Sequence, residues 1–291
     1  MTALPFQKMH GLGNDFVVID ARDRAIPLSL SRRQWIADRR RGIGCDQLIV
    51  LEPPRDRLAD VFMRIHNPDG GEAGACGNAT RCVAAKIMAE KSSRHVIVET
   101  ISGLLDAEAI DGNRVAVDMG VVKLDWREVP VSEACDTLHL PLSLGPLSDP
   151  VGVNVGNPHA VFFVANAEQI DLGSLGPVLE RHKLFPERAN IEVAQLISPG
   201  RIRMRVWERG AGITQACGSG ACATLVAAAR RKLTGRSATI VLDGGELVID
   251  WLADNHVRMT GGWAESFRGE IDLGKIDGGK IDGGEMEREV A

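Results

Sequence analysis

Cys76 in ACGNATRC (75–82) and Cys217 in ACGSGACA (216–223) stand in two nearly identical phrases about half a chain apart. In each, an extended stretch and a loop come before the cysteine, and small residues that open a helical run come after it. The first N–H groups of a helix have no partner inside it and carry partial positive charge. A cysteine placed there is expected to have a lowered pKa, which makes a thiolate base available near neutral pH. The same N–H groups can hold a carboxylate, and Gly77, Asn78, Gly218, Ser219 and Gly220 leave the backbone open to one. Two such motifs facing each other suit a two-base reaction. One thiolate takes a proton from a carbon, the opposite thiol returns a proton to the other face, and the carbon inverts. An amino acid fits this chemistry, because its carboxylate takes up the developing charge between the two helix ends. Cys76 and Cys217 would exchange the roles of base and acid with the direction of reaction. The plain alternative is that a cysteine near a helix start is a small buried apolar residue; repetition of Cys-Gly in both copies favours the chemistry. Cys82 and Cys222 fall inside the helices and read as core, and Cys45 and Cys135 carry no motif and read as structural.

The elements that must position these cysteines are mostly strands. FVVID (16–20), LIVL (48–51), VIVET (96–100) and RVAVDM (114–119) in the first half are rich in β-branched residues. HAVFFV (159–164), RIRMRVW (201–207), ATIVL (238–242), ELVIDW (246–251) and HVRM (256–259) are their counterparts in the second. Helices are expected over 31–40, with Ser31 as N-cap and Gly42 beyond its end, and over 78–91, 174–183 and 219–232. Asn14 and Asn157 are offset by 143, as are Gln47 and Asn190; Arg64 and Arg205, Asn67 and Glu208, and Cys76 and Cys217 are each offset by 141. A near-constant offset reads as a duplication. The expected fold is α+β, with two pseudo-symmetric strand-rich domains, each carrying a long helix just after its cysteine. The expected limits are 1–123 and 124–263, the boundary falling near 121–126, and ESFRGEIDL, within 264–274, could add a strand to either domain. The Gly-rich, repetitive end, 275–291, is expected to be disordered.

Composition narrows the class. Of 291 residues, 44% are hydrophobic and 25% charged, with a net charge of −5, so no basic excess points to nucleic acid or an anionic membrane. Arg39, Arg40 and Arg41 read as a solvated helix end. No apolar run is long enough to cross a bilayer, and the N-terminal stretch lacks a signal-peptide core, so a cytosolic protein is expected. The six cysteines and seven histidines include no C-x-x-C and no zinc spacing, so neither a disulfide scaffold nor a metal is expected.

At these residues the chain resembles the diaminopimelate epimerases, along nearly its whole length. The resemblance rests on KMHGLGNDF (8–16), GIGCDQL (42–48), RIHNPDGGEAGACGN (64–78), GNPHAV (156–161), RANIEV (188–193) and ERGAGITQACGSGACA (208–223). It implies a cofactor-independent epimerase that interconverts LL- and meso-diaminopimelate on the route to lysine and peptidoglycan. The implied fold is two similar domains, each a β-barrel-like sheet around a central helix, with the active site in the cleft between them. It further implies Cys76 and Cys217 as the acid–base pair and His159 and Glu208 as residues tuning the thiols. Asn14, Gln47, Asn67, Asn157, Asn190, Glu208 and Arg209 become substrate contacts, with Gly77, Asn78, Gly218 and Ser219 as the carboxylate cradle. SFRGEI (266–271) would cross back to the first domain, and a homodimer is the assembly held open.

Each role has a structural counterpart. Asn14 and Asn157 sit beside glycines, where Asn serves turns; His159 fits a hydrogen-bonded structural histidine; Glu208 and Arg209 fit a surface ion pair. The chain departs from the family pattern at Pro68, at Ala73-Gly74-Ala75, at Cys45 and at Ser219, where threonine is more usual. The departures at 68 and 73–75 bear on the loop before Cys76. Three other functions fit some of the residues. A proline or hydroxyproline racemase would share the thiols but want a less polar pocket. A dinucleotide-binding oxidoreductase would read Gly218–Ala223 as G-x-G-x-x-A, but the following segments look antiparallel and no clear βαβ unit carries an acidic residue at the right distance. A thiol redox switch would cycle Cys76 and Cys217 through a disulfide.

Overall fold

The computed structural model describes residues 3–274. The expected disorder of 275–291 lies outside the described residues. The first half runs β1 (Ala3–Gly11), β2 (Asn14–Asp20), α1 (Leu30–Ala37), β3 (Gln47–Glu52), β4 (Val61–His66), β5 (Glu72–Ala73), α2 (Gly77–Lys91), β6 (His95–Thr100), β7 (Gly103–Ala109) and β8 (Arg114–Val121). A short hairpin follows, β9 (Ser143–Leu144) with β10 (Leu147–Ser148). The second half repeats the order: β11 (Val151–Asn154), β12 (Pro158–Phe163), α3 (Leu172–Glu180), β13 (Asn190–Ser198), β14 (Arg201–Glu208), β15 (Gly212–Ile213), α4 (Gly218–Arg230), β16 (Ser237–Leu242), β17 (Gly245–Trp251) and β18 (His256–Gly262). The last strand is β19 (Ala264–Asp272).

The duplication holds at the level of register. In the parallel pair β2/β3, Phe16 faces Gln47, and in β12/β13, His159 faces Asn190. Leu48 faces His66 in β3/β4 as Ile191 faces Trp207 in β13/β14. Val61 faces Val98 in β4/β6 as Ile202 faces Ile240 in β14/β16. Strand pairing orders the first half β19-β1-β2-β3-β4-β6-β7-β8 and the second β11-β12-β13-β14-β16-β17-β18, joined where β8 pairs with β18. The returning strand therefore docks antiparallel on β1.

Each half wraps its strands around one helix. A surface helix shows one apolar stripe, whereas a helix buried on all sides is core. In α2, eleven of fifteen residues are buried, and in α4, ten of thirteen. Cys82 packs with Val83, Ile87 and Met63 in the first core; Cys222 packs with Leu225, Val226 and Met204 in the second. Met119 on β8 touches both cores.

Two helices differ from the expected limits; α3 starts early, capped by Asp171, and ends at Glu180 rather than 183. The other, α1, is capped by Ser29, whose hydroxyl accepts from the Arg32 N–H, and it stops at Ala37 because Asp38 turns extended. Arg39 is not merely a solvated end, since it pairs with Asp15 at 2.6 Å and Asp46 at 2.7 Å. The parallel pairing of β14 with β16 across α4 makes a β–helix–β unit, while the strands that follow, β16, β17 and β18, pair antiparallel as expected.

Candidate active site

The repeat brings Cys76 and Cys217 to equivalent places, each the N-cap of the buried helix of its half. β2 and β3 begin, and β4 ends, at one edge of the first sheet, which groups Asn14, Gln47 and Asn67, with Asn14 in reach of Cys76. The same arithmetic groups Asn157, Asn190 and Glu208 in the second half, with Glu208 facing Cys217. The two helix starts meet at Met259. A Cβ on Gly77 would lie 2.6 Å from its Cε, and one on Gly218 would lie 2.9 Å from its Sδ. Asn78 closes the join, donating from Nδ2 to the Ala216 carbonyl at 3.1 Å and to Asn14 Oδ1 at 3.1 Å. Asn14 Oδ1 also receives the Cys76 thiol at 3.8 Å.

The two sulfurs sit in different surroundings. Cys76 is partly exposed, while Cys217 is 5% exposed and accepts from the Gly220 N–H at 3.3 Å. Ser219 Oγ lies 3.6 Å from the Cys217 sulfur. The Glu208 carboxylate receives the Thr214 hydroxyl and the Cys217 thiol. Burial holds the Glu208 carboxyl above its ordinary range, more than those two donors lower it.

The expected lowering of the thiol pKa is reversed. Packing around the sulfur pushes Cys76 up to about 11, with Glu208 adding to it, and the nearby amides of Ala79 and Asn78 pull back too weakly. Cys217 is pushed well up, first by burial and then by the Glu208 and Glu192 carboxylates, against Ser219 and the Gly220 N–H. A helix N-terminus contributes of order 1 kcal/mol, and each pKa unit is worth about 1.4 kcal/mol, so desolvation wins.

Behind Cys217, His159 is joined to a carboxylate that the sequence reading did not single out. Glu192 on β13 and His159 on β12 are both fully buried, with Oε1 2.7 Å from Nδ1. His159 Nε2 lies 2.8 Å from Asn157 Oδ1. Gly220 makes room for the carboxylate, because a Cβ there would stand 2.9 Å from Glu192 Oε1. The Gly-rich turn thus accommodates the protein's own side chains, Met259 and Glu192, at the glycines a dinucleotide fingerprint would use. Asp46, which accepts from Asn14 Nδ2 at 2.9 Å, and Thr214 were also missed.

The remaining expected contacts divide. Gln47 Nε2 donates to Asn67 Oδ1 at 3.1 Å, and Gln47 Oε1 is buried with no partner among the described residues. Asn190 donates to the Pro158 carbonyl at 3.1 Å and accepts from the Arg209 N–H at 2.9 Å. The Arg209 side chain is exposed and donates to the Glu187 carbonyl at 2.9 Å. The loop before Cys76 is pinned despite its unusual residues: Asn67 N–H meets the Gly71 carbonyl, and Gln34 holds the Asp69 carbonyl at 2.7 Å. A groove of about 630 Å³ lies elsewhere, between α2, β1 and β19, lined by residues such as Phe6, Lys86 and Trp263. Among the described residues no group of His, Cys, Asp or Glu is arranged to hold a metal, and no helix is long and apolar enough to cross a membrane.

A family model described as diaminopimelate epimerase matches residues 6–124 and 151–265. A diaminopimelate epimerase of Rhodospirillum centenum is 60% identical over 266 residues, covering 91% of each chain. One of Acidiphilium cryptum is 54% identical, covering 93% of this chain and 97% of the other. Among solved structures, a probable proline racemase of Agrobacterium radiobacter has a TM-score of 0.67 at 16% identity, covering 93% of each chain. A hydroxyproline epimerase of Agrobacterium vitis has a TM-score of 0.66 at 16% identity, again covering 93% of each. At that identity these structures show a shared fold.

Proposed function

The chain belongs to the diaminopimelate epimerase family and is an epimerase of diaminopimelate, and on that premise we propose that Cys76 and Cys217 are its acid–base pair. One observation carries the assignment: the two cysteines cap repeat-related helices whose first residues both rest on Met259. A substrate α-carboxylate seated at both helix starts would set the α-carbon between the sulfurs. One thiolate takes the α-proton and becomes a thiol. The electron pair left on carbon spreads into the carboxylate, where the N–H groups of both helices stabilise it. The opposite thiol then gives its proton to the other face and is left as the thiolate.

The raised thiol pKa values fit this reading. Burial favours the thiol form of both cysteines, and the substrate's α-ammonium would supply the positive charge that favours a thiolate. One carboxylate, Glu208, bears on Cys76, whereas Glu208 and Glu192 both bear on Cys217. The carboxylates therefore oppose a thiolate more strongly at Cys217, while the direction of reaction decides which sulfur acts as base. Asn67, Gln47, Asn190, Glu208 and Arg209 supply the polar contacts for the second, unreactive end of the substrate, with Asn14 and Asn157 flanking the reactive one.

The same reading takes residues 1–123 with 264–274 as one domain and 124–263 as the other, with the site between them. It also carries a cytosolic setting, where thiols stay reduced, and a homodimer, which sedimentation velocity would read. Replacing Cys76 or Cys217 with Ala tests the central assignment. Interconversion should fall by about 10³-fold or more in each variant while the circular dichroism spectrum is kept. Parent-like turnover by either folded variant would remove that cysteine from the reaction.

A further inference from the structure

Asn14 and Asn157 occupy the same place in the two repeats, yet their amides are tied in opposite senses. Asn14 Nδ2 donates to Asp46 Oδ2 at 2.9 Å, which turns its carbonyl oxygen toward Cys76 and Asn78. The orientation is over-determined, because Asn78 must spend its N–H₂ on the Ala216 carbonyl and so can only donate to Asn14. Asp46 is held in turn by Arg39 and by the Asp15 N–H. Burial raises the Asp15 carboxyl, but Arg39 and Lys8 outweigh it and leave it well below the usual carboxylate range.

Asn157 shows the reverse. Its carbonyl oxygen faces His159 Nε2 at 2.8 Å, while His159 Nδ1 faces Glu192 Oε1 at 2.7 Å. Both ring nitrogens therefore meet oxygen acceptors, an arrangement satisfied by a doubly protonated imidazole against the Glu192 carboxylate. The other charged neighbour of this ring is Glu208. The Asn157 N–H₂ makes no hydrogen bond among the described residues and is left for the pocket. The equivalent positions of the first repeat are Phe16 for His159, Ile49 for Glu192 and Ala79 for Gly220, so the device belongs to one half alone.

We propose that Asp46 in one half, and Glu192 acting through His159 in the other, are positioning residues that hold Asn14 and Asn157 in opposite amide orientations. One wall of the pocket then offers a carbonyl oxygen beside Cys76, and the facing wall offers an N–H₂ to an anionic group of the substrate. A pocket so polarised distinguishes the carboxylate from the ammonium at the inverting carbon, which two identical walls would not do. The inference rests on the epimerase reading for its substrate, but its geometric core concerns the ligand-free protein.

Two measurements test it. In protein labelled with ¹⁵N-histidine, long-range ¹H–¹⁵N spectra should show protons on both ring nitrogens of the His159 signal, assigned by its loss in His159→Gln. In Glu192→Gln, one of those nitrogens should become bare, and KM should rise roughly tenfold with a smaller change in kcat; Glu192→Asp should restore part of the loss. Asp46→Ala should instead lower kcat roughly tenfold with little change in KM, because Asn14 serves Cys76, and Asp46→Asn, which keeps an oxygen acceptor, should recover most of it. A bare Nε2 in the parent protein overturns the proposal. So does a Glu192→Gln or Asp46→Ala variant that shifts KM and kcat by equal factors or not at all. Absence of epimerisation by the parent protein would strike the functional reading and leave the ring-protonation result standing.

Discussion

Phe16 and His159 hold the same position in two copies of one fold, and so do Ile49 and Glu192. The first half backs its cysteine with a largely apolar core, in which Arg81 is a fully buried charge, and keeps Asp15, Arg39 and Asp46 nearer the edge. The second half sinks a carboxylate and an imidazole into its core, both fully buried behind Cys217. A reaction that must run in both directions needs two cysteines in mirrored places, which duplication supplies. A substrate whose α-carbon carries a carboxylate and an ammonium needs walls that differ, which divergence supplies. The strand registers were kept between the halves while the side chains facing the helices changed, so backbone and chemistry have separable requirements.

Erasing the difference should have the largest effect. The double variant His159→Phe with Glu192→Ile gives the second half the residues of the first. Replacing a buried ion pair with apolar residues is often neutral or stabilising, so the melting temperature should hold or rise, while kcat/KM falls by about 10³-fold. A variant as active as the parent would show that the buried pair is structural. The pH profile of iodoacetamide modification, read at each cysteine by mass spectrometry, sharpens the comparison further. Cys76, pushed up to about 11 from 9.0, holds about 100-fold less thiolate at pH 8 than an ordinary cysteine. A raised pKa means that the thiol persists as pH climbs, so both modification rates should keep rising beyond pH 9, with Cys217 the slower. A plateau below pH 8 at either sulfur would restore the helix terminus as the dominant influence.

The smallest effect is expected from exchanging the helix residues that face Ile49 and Glu192. Gly220→Ala sets a methyl 2.9 Å from Glu192 Oε1 and 3.2 Å from the Cys217 sulfur, which should cost about 1–3 kcal/mol of stability. Ala79→Gly in the first half adds no such clash and should cost about 0.5–1 kcal/mol through helix propensity. Urea denaturation compares them; equal losses would mean that the glycine is not there for the carboxylate.

Much of this was legible in the sequence. The offsets of 143 and 141 reappear as strand registers, and β2, β3, β6, β8, β12, β14, β16, β17 and β18 lie within a few residues of the β-branched runs that signalled them, whereas no run signalled β13. Helix starts at Cys76 and Cys217 followed from the small residues after each. Three things were not legible. Glu192 lies in NIEVAQ, where a carboxylate on a strand reads as an outward residue; its burial depends on Gly220, which is 28 positions away and on another element. Its pairing with Ile49 at the same 143 offset was the signal that could have raised it. Asp46 adjoins a predicted site residue, but its hold on Asn14 crosses between β2 and the start of β3. The direction of the thiol pKa shifts was misjudged because the helix terminus is a local feature, whereas desolvation is set by everything packed around the sulfur.

Single-turnover conversion of LL-diaminopimelate in D₂O under reducing conditions tests the two-thiol account most directly. At low conversion the meso product should carry one solvent deuterium at the inverted carbon, and the remaining LL substrate none. Meso product that retains the original hydrogen at that carbon would mean one group handles both faces, and would contradict a base and an acid set on opposite sides.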